Sequence, residues 1–85
     1  MTLIEKLKGE FAERKQIAPG TPTTHQKFED FILQVYFIGG QASVIKVESM
    51  GDDYLIGYFR AITADSFSGF AETVSLYSIQ RYRRV

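Results

Sequence analysis

The sequence has no cysteine and no tryptophan, and its 85 residues include one histidine and only two prolines. Without cysteine there is neither a disulfide framework nor a thiolate metal site, and the composition suits a reducing, cytoplasmic setting. The single histidine, His25, lies in a Thr-rich loop with no Ser, Asp or Cys arranged around it. A catalytic or metal role needs such partners, so neither enzymatic activity nor a cofactor or metal is expected. No apolar run approaches the ~18 residues of a membrane span. The opening "MTLIEKLKGEF" meets charge by Glu5, not an apolar leader, so no membrane contact is expected. An excess of one charge sign is also missing: ten Lys and Arg balance ten Asp and Glu. That balance argues against coating duplex DNA by bulk electrostatics. The cations are nevertheless uneven, with Arg81, Arg83 and Arg84 among the last five residues.

What is present is a chain 45% hydrophobic and 14% aromatic, all Phe and Tyr, which is a globular composition. The length fits one domain over residues 1–85. A domain so small buries only about 60% of its unfolded surface, so self-association is a natural source of further burial. Residues 1–17 read as a helix: Leu3, Ile4, Leu7 and Phe11 share one face, and Thr2 with Glu5 forms a capping box. Lys6–Glu10 and Glu10–Arg14 have the i,i+4 spacing of helix-surface ion pairs. Pro19, Gly20 and Pro22 then impose a loop.

Beyond the loop the period changes to two, and residues 28–83 read as five strands. In "FEDFILQVYFIGG", Phe31, Leu33, Val35 and Phe37 alternate with Ile32, Gln34, Tyr36 and Ile38, and the apolar character of both sets predicts a strand covered on both sides. Gly39-Gly40 signals a hairpin. "QASVIKVESM", "YLIGYFRAI", "FAETVSLY" and "SIQRYRR" supply the second to fifth strands, with "GDD" and "TADSFSG" as turns. Short consecutive strands with tight turns favour a closed antiparallel meander. The expected class is therefore all-β with one N-terminal helix: a five-stranded, strongly bent antiparallel barrel of the SH3-like kind. The unpaired edges, "FAETVSLY" and the strand around Ile79, invite pairing between copies, and a repeated edge contact with a closing rotation makes a ring.

A leading helix before five bent strands resembles the Sm-like family, which includes the bacterial Hfq type. "VYFIGGQ" is similar to that family's first hairpin, and "KVESMGDDYL" to the end of its second strand and first motif. Asp52, Tyr54 and Leu55 match the motif's Asp, aromatic and apolar positions, while Ile56 stands at its Asn. "VSLYSI" falls where the second motif belongs, with Leu76 and Tyr77 in place of Arg-Gly or Lys-His, and Ile45 stands where the second strand has its bending glycine. The resemblance implies a homo-oligomeric ring that binds single-stranded RNA at a pore or rim. Tyr54 and Tyr77 would stack on bases, and Asp52 would orient a base edge or backbone, with Ser78 beside them. Arg81 and Arg83, interleaved with Tyr82, suit phosphate contact plus stacking. The competing readings are bland: Asx side chains cap turns, and terminal arginines protect an edge strand. Asp52 and Asp53 make a poor acid–base pair, since adjacent strand residues face opposite ways. The alternative function is a structural or protein-binding SH3-like module that never touches RNA.

Overall fold

A computed structural model describes residues 1–18 and 27–85; His25 and its loop lie outside the described residues. The elements are α1 (Leu3–Ala12), β1 (Gln16–Ala18), β2 (Lys27–Phe28), β3 (Ile32–Phe37), β4 (Ala42–Met50), β5 (Tyr54–Arg60), β6 (Glu72–Ser75), a 3-10 turn (Leu76–Ser78) and β7 (Ile79–Arg84). β1 and β2 form a small antiparallel ribbon. The other five strands form one antiparallel sheet in the order β6-β5-β4-β3-β7. The five-stranded antiparallel sheet follows the sequence pattern, while the β1–β2 ribbon adds two strands that the pattern did not indicate. Closure does not follow the pattern: β6 and β7 are the two ends of an open sheet and do not pair with each other.

The inner face follows the alternation of two. Leu33, Val35, Ile45, Val47, Leu55 and Val74 point into one core, completed by Phe31, Leu76, Ile79 and, from the helix, Leu7. The opposite face of β3 is not covered as its apolar content suggests: Ile32, Gln34 and Tyr36 are half-buried and Ile38 is exposed. Gly40 makes the β3–β4 turn with φ +90°, a conformation that strains any residue with a Cβ. β4 bulges between Val47 and Ser49, leaving Glu48 without an opposite residue on β5. A bulge bends its strand and increases the twist.

α1 ends at Ala12, five residues short of the expected boundary, and the chain turns into β1. Its start is as anticipated: the Thr2 hydroxyl oxygen accepts from the Glu5 N–H at 3.1 Å. The helix-surface ion pairs expected at Lys6–Glu10 and Glu10–Arg14 do not form, because each side chain finds a tertiary partner. Glu10 accepts a hydrogen bond from the Tyr82 hydroxyl. Lys6 stands over the Tyr82 ring, and the Arg14 guanidinium lies 3.8 Å from the Phe11 ring centroid and 4.3 Å from that of Phe28. Burial and the neighbouring Glu10 carboxylate push the Tyr82 phenol well above its ordinary pKa, so it remains a proton donor to Glu10. Among the described residues, no helix is long and apolar enough to cross a membrane.

Candidate nucleic-acid interface

The residues singled out in the sequence fall into two separate groups. The first lies at the end of the sheet where the β4–β5 turn meets the 3-10 turn. Gly51 N–H donates to the Tyr54 carbonyl at 2.8 Å and closes the β4–β5 turn, and Leu76 N–H donates to the Asp53 carbonyl at 2.8 Å and joins the two turns. Tyr54 pairs with Ser75 across β5 and β6. The Tyr54 ring lies directly over Gly51, where an added Cβ would come within 2.2 Å of it. Tyr54 is 41% exposed, so its ring has room to turn aside from a side chain at position 51. Asp52 points into solvent and meets Lys8 of α1, 3.5 Å away, an exposed contact of small energetic weight. Tyr77 is 67% exposed. Ser78 is turned back into the fold, its hydroxyl donating to the Ser75 carbonyl at 2.6 Å. Leu76 and Tyr77 belong to the 3-10 turn and not to a fourth strand: the Ser75 hydroxyl accepts from the Tyr77 N–H and caps that turn. This group offers two exposed phenol rings beside two carboxylates, and so little attraction for phosphate.

The second group holds Arg81 and Arg83 on the outer face of the sheet. The Arg81 guanidinium sits 4.2 Å from the centroid of the Tyr36 ring, its register partner on β3. Arg83, opposite Gln34, donates to that side-chain carbonyl twice, from Nη2 at 2.9 Å and Nε at 3.2 Å. Gln34 in turn donates to the Tyr36 hydroxyl at 2.7 Å. The four side chains form one connected unit on β3 and β7. A guanidinium set against a ring spends no N–H donor on a hydrogen bond to it and keeps donors for another acceptor.

This outer face continues across the sheet. Register places Arg83, Gln34, Val44 and Arg60 in one row, and Ile32, Lys46 and Tyr58 in the next. Directly opposed residues share a face. Val44 lies outside the core cluster yet is only 2% exposed, so this face is locally packed. Among the described residues, no carboxylate lies within ion-pair distance of Lys46, Arg60, Arg81 or Arg83; the two ion pairs are Lys8–Asp52 and Arg84–Glu29. Compared with family models, curated proteins and solved structures, the chain finds no match in any of the three.

Arg81 and Arg83 were legible in the sequence; their partners Gln34 and Tyr36 were not, and neither were Lys46, Tyr58 and Arg60. The available signal was the polar and aromatic set at alternate positions of β3, which marks an outward face with something to present.

Proposed function

We propose that this chain is an Sm-like RNA-binding domain that takes single-stranded RNA on the outer face of its sheet. The observation that carries the reading is the Arg81–Tyr36–Gln34–Arg83 unit: two guanidinium groups ordered by a ring and an amide, with no carboxylate among the described residues paired to either. Such a surface combines phosphate contacts with a base-stacking edge. Support for the Sm-like assignment comes from the N-terminal helix ahead of a five-stranded antiparallel sheet. In this reading Tyr54 and Tyr77 add stacking surface at the end of the sheet, next to Asp52 and Ser78.

The test is a fluorescence-anisotropy titration of a fluorescein-labelled single-stranded RNA at several salt concentrations. Each phosphate neutralised contributes about −0.7 to the log–log slope for single strands. Arg81→Ala is expected to weaken binding and to make the slope shallower by about 0.7. Arg81 is exposed, so the variant stays folded. Wild-type binding without salt dependence, or an unchanged slope in the variant, overturns the reading.

The same proposal makes the open sheet the unit of a ring, with β6 of one copy pairing with β7 of the next. Light scattering coupled to size exclusion is expected to give a discrete multiple of the 9.7 kDa chain mass, stable on dilution. A monomer would remove the ring. It would favour a protein-binding module using the apolar groove of about 480 Å³ between Leu3, Ile4, Leu76, Tyr77 and Ile79.

A further inference from the structure

We infer that the RNA surface does not end at β3 but crosses the sheet to Lys46, and that the β5–β6 loop is built to form its far side. This rests on the RNA reading above and extends it to a longer ligand. The loop is tightly held. Arg60 Nη1 shares its two hydrogens among three carbonyl oxygens, those of Ala61, Ile62 and Ala64, at 3.0–3.2 Å. Ser68 N–H donates to the Phe59 carbonyl at 2.7 Å, while its hydroxyl accepts from Phe59 N–H at 3.2 Å and donates to the Phe70 carbonyl at 2.9 Å. The consequence is the position of Phe67. Its ring centroid lies 5.4 Å from the Lys46 ammonium and 5.3 Å from the Arg60 guanidinium, and Lys46 also stands 5.5 Å from the Tyr58 ring.

The outer face thus carries two basic–aromatic clusters. One is Arg81, Tyr36 and Arg83; the other is Lys46, Tyr58, Arg60 and Phe67. The row Arg83–Gln34–Val44–Arg60 crosses four adjacent strands, a span of about 14 Å at the ordinary inter-strand separation. Only an uncharged amide and a buried valine stand between the two arginines of that row. A linear polyanion with flat bases fits this arrangement; a single phosphate or a small anion uses only one end of it. The tract has a natural limit at Lys46, which also borders a crevice containing Glu29, Asp30 and Glu48. Those carboxylates repel phosphate beyond that point.

The experiment compares labelled oligouridylates of about 4 and about 12 nucleotides, which bracket common single-strand site sizes. Wild type is expected to show a steeper salt slope with the longer oligonucleotide. Lys46→Gln, which keeps the aliphatic stem, is expected to make that slope shallower by about 0.7. Equal slopes for the two lengths, or an unchanged slope in Lys46→Gln while Arg81→Ala still weakens binding, overturn the extension and leave the RNA reading standing. Failure of both oligonucleotides to bind overturns both.

Discussion

Gly57→Ala is expected to cost the domain stability at the top of the roughly 1–3 kcal/mol range of overpacked cores. A Cβ at position 57 would lie 2.6 Å from the Lys46 carbonyl oxygen and 2.8 Å from Cγ2 of Ile45. The oxygen belongs to the backbone of the neighbouring strand and has no rotamer to change; the isoleucine is fully buried in the core. Relief requires β4 and β5 to separate where Gly57 faces Val47, immediately before the β4 bulge. Glycine inside a strand commonly marks such a close backbone approach. Native domains hold only about 5–15 kcal/mol in total, so the loss is a large fraction. In urea, with m about 1–3 kcal/mol/M, the midpoint is expected to fall by about 1 M or more. Gly9→Ala is the matched control. No neighbour lies within 4 Å of its added Cβ, and on an exposed helix the exchange is expected to raise stability by about 0.5–1 kcal/mol. Equal midpoints for wild type and Gly57→Ala would show that the two strands separate freely there.

The glycine also shows how sequence and structure relate in this chain. The resemblance to Sm-like proteins draws attention to a bending glycine on the second strand, where Ile45 stands. The close approach is instead made from the opposite side, by Gly57 on the third strand facing Val47. "YLIGYF" carried that signal as a lone glycine in an apolar alternation. Features decided within a few residues were legible. The inward set Leu33 and Val35, the Gly39-Gly40 turn and the Thr2 cap each follow from local spacing and local hydrogen bonding. Features decided by partners far along the chain were not. Arg83 meets a residue 49 positions upstream, and Glu10 leaves a helical neighbour for Tyr82 across 72 residues. Val74 and Leu76, buried two residues apart, imitate one continuous strand. Only the Ser75 hydroxyl, capping a 3-10 turn at that point, separates them. The candidate site residues divide the same way. The cations were countable from the sequence, but which of them share a face depends on strand order and register.

Leu7→Ala is the other large effect, and it concerns how the helix belongs to the fold. Leu7 is the one fully buried side chain of α1, at 0% exposure, and it joins the same cluster as Leu33, Ile45 and Leu55. Replacing a buried leucine by alanine removes about 2–5 kcal/mol through lost transfer free energy and the cavity left behind. A helix of 10 residues is marginal in water without tertiary packing. The other attachments are only partly buried or exposed: Leu3, Ile4 and Phe11 at the margin of the core, with Phe11 edge-on to Phe31 at 5.3 Å, Lys6 over the Tyr82 ring, the Glu10–Tyr82 hydrogen bond and the exposed Lys8–Asp52 pair. The aromatic contact is worth about 0.5–1.5 kcal/mol beyond area burial. Together these do not replace an anchor in the core. Leu7→Ala is therefore expected to lower the urea midpoint in a single transition, with far-UV helix signal and near-UV tyrosine signal lost together, because Leu7 shares its cluster with the sheet. Early loss of the helix signal, with the tyrosine signal of the sheet retained, would instead make α1 an appendage that undocks from an independently stable sheet.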